Sequence, residues 1–244
     1  MKKIGFLFLC YCLLHLWVPV SYIAYGSSLM PGVGIYETAH IHTNGSGNFE
    51  VAADLSKIEP LIKVASVLAD VTPEATTKSI QEAFSTAARS LGSIPGVSKV
   101  ATTYDTKTLG FKLKFEFNGI RSLNKAICIL YAHIDHPGST YFKMGRRTFE
   151  RIDTVNVAQL LTHYRKEAEK QRKNPNTQIE DLILKNILNA ITYHITYSFD
   201  KKIKEISNTL ADITEDHTTV VLTQSLADAH AKERSFSNKV IFSG

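Results

Sequence analysis

The sequence predicts an α+β fold, an antiparallel sheet built from hairpins with helices packed on one face. Three observations predict it. First, Phe111, Leu113, Phe115 and Phe117 alternate with Lys112, Lys114 and Glu116, and Ile191, Tyr193, Ile195, Tyr197 and Phe199 alternate with Thr192, His194, Thr196 and Ser198. A period of two buries one set and exposes the other, as in an antiparallel strand covered on one side. Second, Ser56-Lys57-Ile58-Glu59 and Thr177-Gln178-Ile179-Glu180 have the spacing of a capping box, in which hydroxyl and carboxylate satisfy first-turn amides reciprocally. Third, Asn44-Gly45-Ser46-Gly47 sits between two apolar runs, where glycine supplies the conformations a hairpin turn requires.

Taken in chain order, Ile35 to His42 and Asn48 to Ala53 are the arms of the first hairpin. Ile58, Leu61, Ile62, Ala65 and Leu68 form a helical stripe behind the first capping box, with Pro60 in the first turn. Thr72-Pro73-Glu74 opens a second helix with an N-cap, a proline at the first position and an acid against the N-terminal dipole. Ile80, Ala83, Phe84, Ala87 and Leu91 share one side of it, and Gly92 closes it. A strand from Gly96 to Thr103 leads through Asp105-Thr106-Lys107 into the 111–117 strand, and a helix with Leu123, Ile127 and Leu130 inward follows.

Ser139 to Met144 and Thr148 to Arg151 read as a short hairpin around Gly145-Arg146-Arg147. A helix over Thr154 to Lys173 begins apolar and ends charged before Asn174-Pro175-Asn176, the pattern of a solvated tip and loop. The second capping box opens a helix through Leu182, Ile183, Ile187 and Leu188. After the 191–199 strand, Asp200-Lys201-Lys202 turns into a strand from Ile203 to Ser207. Thr218 to Thr223 is a further strand, Ser225-Leu226-Ala227-Asp228 starts a short capped helix, and Phe236 to Phe242 is the last strand. Residues 27–244 are expected to form a single α+β domain, with two subdomains meeting near 150–176 as the alternative.

The first 26 residues carry an export pattern. Met1-Lys2-Lys3 is a positive n-region, Ile4 to Val20 is free of charge, and Ala24-Tyr25-Gly26 places small residues for cleavage after Gly26. An uncleaved N-terminal anchor is the alternative, since about 20 apolar residues span a bilayer. Either outcome puts the body outside the cytoplasm, in the periplasm, on the cell envelope or secreted. Of the three cysteines, Cys10 and Cys12 fall in this segment, so the mature chain keeps Cys128 alone and folds without an internal disulfide. The 28 basic residues include Lys2 and Lys3, which leaves 26 against 23 acidic ones in the body. That balance lacks the clustered cations of a nucleic-acid-binding face. The basic stretches Arg146-Arg147 and Lys166–Lys173 have no interleaved aromatics and read as solvated helix and turn.

With its exported start, the chain resembles a family of bacterial envelope proteins, many of them lipoproteins, that has no established activity. The residues that carry the resemblance are Asn44-Gly45-Ser46-Gly47 leading into Phe49-Glu50-Val51-Ala52-Ala53-Asp54-Leu55-Ser56, then Phe149-Glu150-Arg151, and Ile203-Lys204-Glu205-Ile206-Ser207-Asn208. The resemblance implies an envelope location and an α+β fold, and it carries no chemistry. The chain departs from the family in its cysteines: Leu9 precedes Cys10, and most of the apolar run follows it, which is not the lipidation pattern.

Candidate chemistry is sparse. There is no G-x-S-x-G, no Walker A and no G-x-G-x-x-G after a strand. Tyr131-Ala132-His133-Ile134-Asp135-His136-Pro137 sets two imidazoles around a carboxylate, the ligand types zinc takes. It is similar to the second half of the HxHxDH motif of metallo-β-lactamase-type hydrolases, with Tyr131 where the first histidine belongs. A polar loop before Pro137-Gly138 explains the same residues without metal, so His133, Asp135 and His136 stand as metal candidates and no catalytic or cofactor-binding residue is assigned. His40 and His42, two apart on a strand, share one face and read either as a ligand pair or as a polar row beside Thr38 and Asn44.

The function expected from these observations is a non-catalytic interaction or structural role in the envelope, with no cofactor, exercised on another envelope protein through a sheet edge or helix face. A carrier of lipid or another apolar ligand, suggested by the aromatic strands, is the first alternative, and a metal-dependent hydrolase on His133, Asp135 and His136 is the second. No nucleic-acid partner is expected, and membrane contact is expected only through an uncleaved N-terminal segment. Mass spectrometry of the chain from its own envelope fraction should give a species starting at Ser27. A species that retains Met1 would make the segment an anchor.

Overall fold

Alternation of side chains decides which residues meet in the interior, and the computed structural model shows where each alternating strand goes. It describes residues 33–54, 56, 73–105, 109–130, 139–152, 191–225 and 236–244. In chain order these contain β1 (Val33–Ile41), β2 (Gly47–Asp54), α1 (Pro73–Gly92), β3 (Val97–Asp105), β4 (Gly110–Phe117), α2 (Ile120–Leu130), β5 (Phe142–Met144) and β6 (Thr148–Arg151). There follow β7 (Ile191–Phe199), β8 (Ile203–Ile206), β9 (Ala211–Ile213), β10 (Thr219–Ser225) and β11 (Asn238–Phe242). The expected signal segment and the helices expected at 58–68, 154–173, 177–188 and beyond Ser225 lie outside the described residues. Among the described residues no helix is long and apolar enough to cross a membrane.

The strands form a seven-stranded sheet in the order β3-β4-β2-β1-β7-β10-β9 and a four-stranded sheet in the order β5-β6-β11-β8. The hairpins β1–β2, β3–β4 and β5–β6 pair as their sequences predict. Gly45, at φ 82°, makes the first turn. Gly47 begins β2 where an added Cβ would come within 2.8 Å of the Phe117 ring and closer still to the His40 carbonyl.

Two expectations need correction. The large sheet is mixed rather than purely antiparallel, because β1 and β7 run parallel from Val33↔Ile191 to Ile41↔Phe199. A parallel neighbour requires the chain to return to its starting end, which a long connection allows and a hairpin does not. The fold is also mainly sheet. Asp200-Lys201-Lys202 turns from β7 into β8 as expected and carries the chain from one sheet to the other: β7 lies beside β10 in the large sheet, while β8 pairs with β11 in the small one. The three-residue β9 was not expected at all.

One row across the large sheet shows how the two layers meet. Phe111 pairs with Ala53, Ala53 with Ile35, and Ile35 with Tyr193, and all four are buried. The β3–β4 end of this inner face is covered by helices. Phe84 of α1 stacks on Phe111 at 5.2 Å, and Leu91, Leu123, Ala126 and Ile127 are buried in the same cluster. The β1–β7 end is covered by the small sheet, where Phe149 lies 5.7 Å from Tyr197 and 5.2 Å from Phe199, and Phe242 lies 5.0 Å from Phe199. Such ring pairs contribute about 0.5–1.5 kcal/mol each beyond the area they bury. Asn124 of α2 joins the two coverings: its Oδ1 accepts the Tyr141 and Phe142 amides at 2.9 and 2.8 Å, and its Nδ2 donates to the Phe142 carbonyl.

One charged side chain of the large sheet breaks the apolar inner row. Glu37 sits on the face of Ile35, Ala39 and Ile41 and is 1% exposed. It pairs opposite Ile195, so Tyr193 and Tyr197 stand on either side of it, and both phenols donate to its carboxylate. Arg151 of β6 reaches across from the small sheet and closes an ion pair with it, its guanidinium 5.9 Å from the Tyr197 ring and 5.8 Å from the Phe236 ring. Removing one partner of such a pair strands the other as a buried charge. Arg151→Met is therefore expected to lower unfolding free energy by about 3–5 kcal/mol in urea titrations. Lys112→Ala, which breaks the solvated pair with Glu50 (2.9 Å), should cost less than about 1 kcal/mol.

The β9–β10 turn is held by a carboxylate. Asp216 accepts hydrogen bonds from Thr214 Oγ1 at 2.6 Å, Thr218 Oγ1 at 2.7 Å and the Thr218 amide at 3.0 Å, which hold its carboxyl down from 3.8 to about 2. A carboxyl that titrates lower when folded stabilises the turn above the unfolded value and loses that contribution as pH falls through the folded one. The Thr218 amide shift should therefore titrate near pH 2. A midpoint near 3.8 would show that the two hydroxyls do not hold the carboxylate.

Candidate functional site

One face of the large sheet is covered by the second layer; the other, among the described residues, carries polar side chains at part-exposed positions. Register arranges that face in rows running through β4, β2, β1, β7 and β10. One row is Lys112, Ala52, Tyr36, His194 and Thr223, the next Lys114, Glu50, Thr38, Thr196 and Val221, and the third Glu116, Asn48, His40, Ser198 and Thr219. The β2–β4 end carries paired charges, Lys112–Glu50 among them, with Lys99 of β3 on Glu116 at 2.9 Å. The β1–β7–β10 end carries hydroxyls and imidazoles.

Two features stand out at that end. Tyr36, 42% exposed, stacks on His194 with centroids 4.7 Å apart and planes within 10°. The parallel register places the two rings side by side on adjacent strands, and Thr223 Oγ1 lies 3.1 Å from His194 Nδ1. Burial pushes the His194 imidazole below its ordinary range, favouring the neutral ring.

The second feature lies at the carboxyl ends of the parallel pair. Because His40 pairs with Ser198 and Ile41 with Phe199, the next residues out of the two strands, His42 and Asp200, come side by side. His40 Nε2 is 3.1 Å from Asp200 Oδ1, and His42 Nδ1 is 3.1 Å from Asp200 Oδ2. The Thr43 amide donates to Asp200 Oδ2 at 3.3 Å, and His40 Nδ1 lies 2.8 Å from Ser198 Oγ. Burial acts to raise the Asp200 carboxyl, but the hydrogen bonds of His42 and the Thr43 amide, the His42 charge and the His40 hydrogen bond outweigh it and hold it below the usual carboxylate range. Two imidazoles and a carboxylate within 4.8 Å of one another have the composition of a metal-ligand set.

The sequence pointed to some of this. His40 is on the outer face of β1 and His42 one residue past its end, both reaching Asp200, and His194 is on the outer face of β7. Asp200 reads from sequence as a turn residue, since nothing in its neighbourhood announces that β7 lies beside β1. His133, Asp135 and His136 lie outside the described residues, as do His163 and His230. His217 is in the β9–β10 turn at φ 58°. Cys128 is half-buried, with Sγ 3.3 Å from the Ser139 carbonyl. Glu37 and Arg151 were not singled out, although a glutamate on the face of Ile35, Ala39 and Ile41 is a visible break in an apolar row.

The edges of the sheets are guarded. β3 is interrupted by a bulge between Ser98 and Ala101, with Lys99 at φ 50°, and the other edges, β9, β5 and β8, are only three or four residues long. Bulges, lysines and short edges all oppose strand addition.

Among the described residues, fold and face define an α+β protein with one face of the large sheet covered by helices and the small sheet and the other face polar and part-exposed. No family model matches the chain, and no curated protein matches it in sequence. Among solved structures it is similar to the folded domain of the LppM protein of Mycobacterium tuberculosis, determined by NMR, with 8% identity, 88% of this chain and 93% of that chain covered, and a TM-score of 0.40. Likeness at that level carries no argument about function.

Proposed function

We propose that this chain is an exported envelope protein with a non-catalytic binding role, and that it docks another envelope protein on the outer face of its large sheet. The observation that carries the reading is the Tyr36–His194 stack, a half-exposed aromatic platform in the middle of a hydroxyl-rich face bordered by paired charges. Tyrosine anchors surrounded by polar groups are the composition of protein-binding patches. Export rests on the Met1–Gly26 pattern. A carrier of apolar ligands needs an internal space of a few hundred Å³. Between the two sheets, Phe142, Phe149, Tyr197, Phe199 and Phe242 are in ring contact, which favours binding outside over carriage inside.

A photo-crosslinking residue at Thr38, in the middle row, is expected to give one discrete protein adduct in the native envelope, and one at Lys239, on the outer side of the small sheet, none. Tyr36→Ala should weaken that adduct about tenfold, as loss of an anchor worth 1.4 kcal/mol or more would. Equal adducts from both positions, or native mass spectra with a bound lipid that survives Tyr36→Ala, would overturn the reading.

A further inference from the structure

We infer that His40, His42 and Asp200 form a binding site for a divalent transition-metal ion of the zinc type at the carboxyl ends of β1 and β7. The inference stands apart from the docking role, since it rests on donor atoms at one end of the sheet and not on the Tyr36–His194 patch.

The geometry supports it first. A four-coordinate ion about 2.0–2.1 Å from nitrogen and oxygen ligands places neighbouring donors about 3.3 Å apart. His40 Nε2 and His42 Nδ1 each lie 3.1 Å from an oxygen of the same carboxylate, and no donor in the trio is more than 4.8 Å from another. A small rotation of His42, whose side chain is 45% exposed, brings the two nitrogens to a common centre. The three ligands would leave one tetrahedral position for water or a side chain from a partner.

The surroundings of His40 suit a ligand. Its Nδ1 lies 2.8 Å from Ser198 Oγ, which itself lies 3.4 Å from the Ala39 carbonyl, so the ring is held with Nε2 toward the Asp200 carboxylate. With Nδ1–H donated to Ser198, Nε2 presents its lone pair to an ion beside the carboxylate; without an ion, Nε2–H donates to Asp200 instead. A histidine whose far nitrogen is fixed by a hydroxyl or carbonyl is also the usual support of a metal ligand, and here it is built from β7 and β1 backbone register. The carboxylate is further steadied by the Thr43 amide. Two nitrogens and one carboxylate favour zinc, copper, nickel or iron(II) over magnesium and calcium, which prefer all-oxygen shells.

The test is isothermal titration of the purified mature chain with ZnCl2 at about pH 7.5, where unperturbed imidazoles are mostly neutral, with the ring-proton NMR signals of the histidines followed in parallel. One ion per chain is expected, with the His40 and His42 signals shifting first. His40→Ala and Asp200→Asn should each weaken binding at least tenfold, and Ser198→Ala, which touches no ion, by about 10-fold to 100-fold. Asp200→Asn keeps the shape of the side chain and guards against a folding defect, which circular dichroism checks. Three outcomes would overturn the assignment. One is no uptake of zinc by the folded chain, which leaves a proton-bridged clasp. The second is uptake unchanged in a His40→Ala/His42→Ala variant, which puts the ion elsewhere. The third is displacement of zinc by equimolar Mg2+, which the donor set forbids.

Discussion

A carboxylate and a guanidinium buried between two sheets impose a condition that a purely apolar interface does not. Glu37 and Arg151 come from different sheets, and removing either would leave the other a buried charge, while the Tyr193 and Tyr197 hydroxyls also donate to the carboxylate. Aromatic rings slide over one another at small cost, so Phe149, Phe199 and Phe242 alone would permit several ways of laying the small sheet on the large one. The ion pair adds a directional contact between them. Arg151 ties β6 to β1, and strand pairing carries that tie through β5, β11 and β8.

The same constraint divides the labour of the faces. The strands from β4 to β10 each present one row inward and one outward, and the inward rows are taken up by rings, aliphatic chains, the Glu37 carboxylate that pairs with Arg151, and the Gln224 amide. Polar groups that need not be buried are left on the opposite side, in register across five strands. Tyr36, Thr38 and His40 are therefore outward because Ile35, Glu37, Ala39 and Ile41 are inward. The polar face follows directly from the strand period.

Parallel pairing of β1 with β7 contributes the rest. Side-by-side strands that run the same way end together, so residues just past both ends become neighbours. That is how His42 and Asp200, separated by most of the chain, come to share a hydrogen bond. An antiparallel arrangement of the same two strands would have put the end of β7 at the start of β1, away from both histidines.

The alternation in β4 and β7, the Gly45 turn, the hairpins and the inward Phe84, Ala87 and Leu91 of α1 and Leu123, Ile127 and Leu130 of α2 were legible because each is set by contacts within a few residues: a strand period, a helical period, a glycine that adopts positive φ. Glu37 was legible in principle as a charge on an apolar row. The mixed sheet, the departure of β8 into a second sheet and β9 were not, because which strands become neighbours depends on burying surfaces contributed by distant segments, and local sequence carries no record of that choice. By itself the sequence determined which faces are apolar, where the turns fall and where the export pattern lies. Only the tertiary structure decided that β1 lies parallel to β7, that Glu37 meets Arg151 and that Asp200 joins His40 and His42, because long-range burial, not local preference, brings those groups together.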